Sequence, residues 1–523
     1  MRIYSILSGL LLLLVFASVP VTAQAANWEE YLDAGAKAED EGDYGKADGL
    51  YQKALKEVEA TSGRHHPDAS IVLNKLGGLY RETGEYDRAE AAYQRAIAID
   101  KKALGTDDPE VAADYNNLAR LYGEQGRYGE AEALYKDTMR IWTKALGEYH
   151  ENIAIVAVNL GELYREQGRF DEAEGLFKQA VKIDEKALGK DHTEVAIDLI
   201  NLGGLYREMG QYKEAEDAYR RALQIRKDAL GKDDPEVAAS FNVLGLLYDE
   251  LGRYDQAELM YRRSLEIWEK SWGPVHPDVA VALNNLAELY RTTGRYDEAE
   301  PLYKRTLAID EEIYGANHPE VAIDVSNLGG LYEDQDRYGD AEPLYQRALG
   351  INKSAYGASH PVVAQSLNSI AWLYRLQGRY DEAEPLYRDA IRIWKTALGE
   401  SHPSVAVGLV NMAGLLQKLD RWDESEKLYH QAIAIDEKAY GADHPEVAFD
   451  LSDLAWLYVN QGKFDKAESL YQQALRIRKA AYGETHPDVA SSLDDYADLM
   501  REMGRAKEAA TLEKQAEDIR ARL

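Results

Sequence analysis

An all-α solenoid is the fold class this sequence predicts, on three observations. A phrase of about twenty residues recurs at a fixed interval: "NVLGLLYDELGRYDQAELMY" from Asn242, "NNLAELYRTTGRYDEAEPLY" from Asn284 and "NSIAWLYRLQGRYDEAEPLY" from Asn368. Apolar positions inside each copy fall three, four and seven apart, the spacing of one helical stripe. Proline and glycine stand where such helices would start and stop. A fixed period of this size marks a stacked repeat array.

The elements follow in chain order. Met1 and Arg2 give a short positive start, Ile6 to Val21 is mostly apolar, and "AQA" closes the segment at Ala23–Ala25. Residues 1–25 therefore read as a secretory signal peptide. An uncleaved anchor is the alternative, but the apolar run is short against the ~20 residues of a spanning helix. The expected location is exported, in a bacterial periplasm or outside the cell. A chain with no cysteine suits an oxidising compartment.

Residues 26–523 read as one solenoid of twelve 42-residue repeats. The position after the capping His or Asp falls at Pro67, Pro109, Glu151, Thr193, Pro235 and onward to Pro487, every 42 residues, with no insertion. A glycine precedes it by four, from Gly63 to Gly483. The first copy lacks the leading proline but matches through Gly42, Tyr44, Ala47, Tyr51 and Ala54. In the second copy Leu73, Leu76, Gly77 and Tyr80 form one stripe, and Ala89, Tyr93, Ala96 and Ile99 form another. His66 or Asp108 can cap the first helix, with proline at its first position, where the missing N–H costs nothing. Gly84 ends it in a left-handed conformation. Asp87-x-x-Glu90, repeated at Asp297/Glu300 and Asp381/Glu384, reads as a capping box opening the second helix. In the last copy Tyr496, Met500, Ala506 and Glu513 replace the usual Leu and Tyr. That copy reads as a degenerate terminal cap.

The pattern Leu73-x-x-Leu76-Gly77-x-x-Tyr80-x-x-x-Gly84-x-Tyr86-x-x-Ala89-x-x-x-Tyr93-x-x-Ala96 resembles a tetratricopeptide repeat. The 42-residue period, longer than the usual ~34, is similar to the kinesin-light-chain type. The resemblance implies a right-handed superhelix of helix hairpins. It also implies a concave groove, lined by the first helices, that holds extended peptides through asparagine and basic side chains.

Chemistry of other kinds finds no footing. Acidic residues number 92 against 61 basic, a formal charge of −31, which repels nucleic acid and anionic lipid. Thiolate metal sites and disulfides are excluded without cysteine. Nine of eleven histidines share one repeat position, where aspartate also occurs, as a helix cap allows. Stacked repeats sit ~8–10 Å apart, too far for neighbouring imidazoles to share a metal with bonds of about 2.0–2.1 Å. No catalytic residues, metal site or cofactor are predicted. With the repeats occupying the chain from Asn27 onward, an enzyme is not expected.

Function is expected on the groove. One first-helix position carries Asn117, Asn159, Asn201, Asn285, Asn327 and Asn411. Asparagine is a poor helix former, and its amide can pair with any peptide backbone. The alternative is that these amides bridge neighbouring helices. Arg165, Arg207, Arg291 and Arg375 form a second row suited to carboxylates, or to self-neutralising pairs with the glutamates beside them. Trp372 and Trp456 occupy a position filled elsewhere by Gly78, Glu162 or Gly204, and with Leu376, Val407, Val410, Phe449 and Val459 they read as an apolar pocket. Trp142, Trp268 and Trp394, late in the second helix, read as packing. The chain is thus expected to be a non-enzymatic, exported scaffold or adaptor for protein or peptide partners. The alternative is a structural or oligomerising spacer in the cell envelope.

Overall fold

Each 42-residue copy folds as the hairpin its termini dictate. The computed structural model describes residues 28–40 and 43–521; the predicted leader lies outside the described residues. Among the described residues twenty-four α-helices follow one another, from Trp28–Asp40 and Tyr44–Thr61, through Pro67–Glu82 and Tyr86–Leu104, to Pro487–Glu502 and Ala506–Arg520. They pair as twelve hairpins, each packed on the next. No strand occurs among the described residues.

The first helices start as predicted. His66 Nδ1 accepts the Asp68 N–H at 3.3 Å, and His150, His192, His276 and His318 cap in the same way. Asp108 and Asp234 do so through a carboxylate oxygen, at 3.0 and 2.9 Å. The within-repeat turn is closed by a left-handed glycine such as Gly84, φ 70°.

The capping box is not present. The second helix begins at Tyr86, before Asp87, and the residue ahead of it, Glu85, makes no side-chain cap. Glu90 is drawn elsewhere. It accepts the Tyr122 hydroxyl and the Arg127 guanidinium of the next repeat, both at 2.8 Å, while that guanidinium lies 3.8 Å over the Tyr122 ring. The same clamp recurs as Glu258 with Tyr290 and Arg295, and as Glu342 with Tyr374 and Arg379. A charged hydrogen bond shared with a neighbouring repeat outcompetes a local cap.

Glycine within the first helices is a packing device. A Cβ on Gly77 would stand 2.6 Å from the Tyr93 ring, and one on Gly245 2.5 Å from the Tyr261 ring. Removing that carbon lets a tyrosine of the second helix lie flat against the first. Leu73, Leu76 and Tyr80 complete the buried stripe.

Between repeats, two positions fourteen residues apart form a matched set. Four junctions carry two aspartates: Asp100/Asp114, Asp184/Asp198, Asp310/Asp324 and Asp436/Asp450, all buried. One oxygen of each of these eight carboxyls has no hydrogen-bond partner unless the pair shares a proton. Burial first, then the facing carboxylate, pushes Asp114 up to about 7 and Asp198 up to about 8. Asp324 and Asp450 rise for the same two reasons. Elsewhere the pair is Arg226 with Ser240 at 3.1 Å, or Asn352 with Ser366 at 3.0 Å. Where the first member is Trp142, Trp268 or Trp394, the second is Val156, Ala282 or Gly408. These tryptophans are buried, and each indole N–H donates to a proline carbonyl, at 2.9 to 3.2 Å. The packing role predicted for them holds.

The hairpins wind through more than one turn, and the second turn lies on the first. Rings about seven repeats apart stack: Tyr44 on Tyr356 at 5.9 Å, Tyr128 on Tyr440 at 6.2 Å, Phe170 on Tyr482 at 6.2 Å. His402 caps its own helix through Nδ1 and donates from Nε2 to the Glu124 carbonyl of the turn below, at 3.2 Å. The chain is therefore a closed coil rather than an extended rod.

Candidate functional site

First helices of neighbouring repeats touch one another along most of the array, which makes them the inner, concave row. The predicted groove residues lie on these helices, and the structure assigns most of them a neighbour.

The asparagines form a ladder. The Asn159 side-chain N–H donates to Asn116 Oδ1 at 2.9 Å, Asn285 to Asn242 at 2.9 Å, Asn327 to Asn284 at 2.9 Å and Asn411 to Asn368 at 3.0 Å. Asn117 reaches Asn74 at 3.4 Å, and Asn201 lacks such a partner because Val158 stands in its place. All six are half-buried. Each rung ties one repeat to the next and leaves the donor's own carbonyl open.

The arginines point one repeat onward. Arg165 pairs with Glu162 at 2.6 Å and Glu208 at 3.4 Å, Arg207 with Glu250, and Arg291 with Glu288 at 2.7 Å and Asp334 at 3.3 Å. Arg375 instead lies 4.1 Å over the Trp372 ring. After this pairing carboxylates remain in excess. Partial desolvation on the crowded inner wall and the facing carboxylates, Glu162 first among them, push Glu166 up to about 7; the same desolvation lifts Asp249 and Asp453 to about 6. The inner row is electronegative.

The tryptophans differ from each other. Trp372 is half-buried, its indole N–H donating to Glu333 at 2.9 Å. Trp456 is 54% exposed, and Phe449, Val407 and Leu376 on the first helices of repeats nine to eleven are exposed too. Arg478 covers one face of Phe449 at 4.2 Å.

A model of the tetratricopeptide repeat matches residues 34–102, 75–144, 110–186, 152–228, 194–270, 278–353, 322–396, 404–480 and 457–522, and a second such model matches 243–312. The chain belongs to the tetratricopeptide repeat family. Its repeats follow one another every 42 residues. Among solved structures, BtubC (BKLC) from P. vanneervenii is 24% identical, with 45% of this chain and 92% of that chain covered and a TM-score of 0.37. Two structures of nearly identical, kinesin-light-chain-type TPR-like repeats from Podosopora anserina are 24% and 23% identical. They cover 38% and 39% of this chain and 93% and 97% of their own, with TM-scores of 0.33. No curated protein matches.

Two features of this tetratricopeptide repeat protein are not evident from its sequence alone. One is the set of buried aspartate pairs. The other is the seam between turns, where His360, His402, His444 and His486 sit over Gly84, Gly126, Gly168 and Gly210. Burial lowers His360 and His444 to about 4. A cavity of about 400 Å³ opens along the seam, walled by Tyr128, Phe170, Tyr440, Glu124, Glu166 and Glu446 among others. A trace of the seam does stand in the letters. The residue before the recurring glycine is leucine at Leu104, Leu146, Leu188 and Leu230, then aromatic at Trp272, Tyr314, Tyr356, Tyr440 and Tyr482, with Leu398 the one exception among these.

Replacing all four seam histidines by aspartate separates their two duties. Asp108 and Asp234 show that aspartate caps these helices equally, but it cannot reach across the seam. The expected result is unchanged helix content by circular dichroism with a larger radius of gyration by small-angle scattering. An unchanged radius would mean that the histidines do not hold the turns together.

Proposed function

We propose that this tetratricopeptide repeat protein is a non-enzymatic scaffold, exported under its leader-like segment, that holds an extended protein segment along its inner helices. The fold class supports the general role. The carrying observation is the exposed Trp456 on the inner row, with exposed Phe449 on the same helix and exposed Val407 on the repeat before. A concave surface with exposed aromatic side chains is the form an interaction hot spot takes.

The charge state of the row selects the partner class. Arg165, Arg207 and Arg291 are neutralised by carboxylates of their own helix or of the next repeat, while Glu166, Asp249 and Asp453 are held in surroundings that disfavour their ionised forms. A basic segment carrying one or two large apolar side chains complements this surface. The open carbonyls of the asparagine ladder offer acceptors to its backbone N–H groups.

A Trp372→Ala/Trp456→Ala variant is expected to weaken capture of such a segment at least about tenfold, the loss of roughly 1.4 kcal/mol or more at a hot spot. Its melting temperature should stay close to that of the parent, because Trp456 contributes little to the core. The measurement is fluorescence anisotropy with labelled Lys/Arg-rich peptides containing Leu or Trp. Equal affinity in parent and variant would remove the inner row from the account.

The alternative of a structural or self-associating element draws on a different observation, the two uncovered edges of the coil.

A further inference from the structure

Within the molecule, two edges of the repeat ribbon meet. The upper edge carries the within-repeat turns and the aromatic residue that opens every second helix but the last, which opens on Ala506. The lower edge carries the loops between repeats, with the residue that ends each second helix and the capping histidine, replaced by aspartate at Asp108 and Asp234. The lower edge of repeats eight to twelve lies on the upper edge of repeats one to five. A Cβ on Gly84 would lie 2.3 Å from His360, on Gly168 2.4 Å from His444, and on Gly210 2.6 Å from His486. Each turn glycine is thus a hollow filled by an imidazole.

The same hollows continue where nothing fills them. At Gly252, Gly294, Gly378, Gly462 and Gly504 no atom beyond the adjoining residues lies within 4 Å of the Cβ position. Beside the first of them Tyr254 is 46% exposed. The turn position is non-glycine at Asp336 and Asp420, both with φ 56°, and both lie in this uncovered part. Where the seam is closed, the position is always glycine.

The lower edge also continues uncovered. Leu104, Leu188 and Leu230 are 38 to 44% exposed and Trp272 is 50% exposed. Trp272 stacks on His276 at 5.1 Å, just as Tyr356 stacks on His360 at 4.5 Å inside the closed seam. The pair is preformed, and among the described residues no turn of the coil lies against it.

We propose that these two edges bind each other between molecules. The lower edge of one copy seats on the upper edge of a second copy, continuing between chains the seam already formed within one. The occupant is a second copy because the two free surfaces carry the chemistry of the closed seam, apolar and aromatic side chains against aromatic rings and glycine hollows. Both edges also keep the 42-residue spacing, so several contacts come into register together. The contact is heterologous: each copy offers one edge of each kind, so association yields coaxial stacks rather than a closed dimer. The formal charge of −31 opposes stacking at long range. Association therefore strengthens as salt screens the repulsion, opposite to an interface built on ion pairs.

The test uses the full chain and two variants in sedimentation velocity, from about 1 to about 100 µM at low and high salt. Tyr254→Glu with Tyr296→Glu blocks the upper edge; Leu230→Glu with Trp272→Glu blocks the lower. The parent is expected to form dimers and longer stacks, more so at high salt. Each variant alone should be monomeric, its dissociation constant raised at least about tenfold. An equimolar mixture of the two should form one-to-one complexes and nothing larger, since one intact edge of each kind remains. Should a glutamate variant lose helix content, Tyr254→Ser and Trp272→Ser carry the same test. A monomeric parent across the whole range overturns the proposal. So does association that both variants retain, which would place the contact elsewhere, including residues 1–25.

Discussion

Raising the pH from 5 to 9 is expected to lower the melting temperature of this protein steeply, against the behaviour of most acidic chains. The cause is the four buried aspartate pairs. In each pair at least one carboxyl has a folded pKa well above its ordinary value of 3.8, about 7 for Asp114 and about 8 for Asp198. The folded state therefore holds protons that the unfolded chain has released. Stability from these groups is fully present below about pH 4 and is lost as pH rises through 7 to 8. Each tenfold gain in proton affinity on folding corresponds to about 1.4 kcal/mol. An effective gain of about a hundredfold at each of four junctions thus gives on the order of 10 kcal/mol across the array. The seam histidines act in the opposite sense. His360 and His444, lowered to about 4, contribute stability above pH 6.5 that is lost as pH falls toward 4. The two windows overlap between about pH 4 and 6.5, where the four aspartate pairs outweigh the two histidines, so the decline should be shallow there and steepen above pH 6.5. Replacing Asp114, Asp198, Asp324 and Asp450 by asparagine supplies the missing donor without a titrating proton. Calorimetry of that variant should show a much shallower decline from pH 6 to 9. An equal decline would assign the pH dependence to other groups.

Gly245→Val is expected to divide the unfolding of the array into two transitions. The new side chain would start 2.5 Å from the Tyr261 ring, and that ring is 1% exposed, with no space to swing into. Overpacking of this kind costs about 1–3 kcal/mol, with further loss as the hairpin of repeat six opens. A weak sixth repeat breaks the run of nearest-neighbour contacts and leaves only the seam to join the five repeats before it to the six after it, so the division is expected in full when the four seam histidines are aspartate as well. Calorimetry and urea titration by fluorescence should both resolve two steps. Gly350→Ala provides the contrast. Its Cβ would meet nothing within 4 Å and it lies inside a helix, so about 0.5–1 kcal/mol of stabilisation is expected. A single cooperative transition in Gly245→Val carrying the four aspartates would show that the tyrosine layer is more yielding than its burial implies.

The hairpins were legible because their information is local: a cap, a proline, a turn glycine and a stripe lie within one copy of the phrase. What failed at this level was Asp87-x-x-Glu90. A capping box can be read from four residues, but Glu90 answers to Tyr122 and Arg127 in the next copy. The asparagine and arginine rows were legible as first-helix positions, while the choice between their possible partners was not. A row of asparagines looks alike whether it faces a peptide or the next rung, and the difference lies in the spacing between repeats. The winding of the coil was the least legible feature, since a small rotation per repeat accumulates over seven of them. Its trace, the change from Leu230 to Trp272 and Tyr356 at one position, becomes meaningful only once the turns are seen to touch.

The shared duty of the seam imidazoles links two processes that repeat arrays usually keep apart. With Nδ1 of His402 accepting the Ser404 N–H, the ring's single proton must reside on Nε2, facing the Glu124 carbonyl. Tautomer, helix initiation and contact with a segment some 280 residues away are thus fixed by one hydrogen atom. Fraying at the start of a late helix loosens its grip on an early one, and pulling the coil open unseats the late helix at its root. Mechanical extension and local melting are for this molecule the same event, and a force applied at its ends would be felt first at these rings.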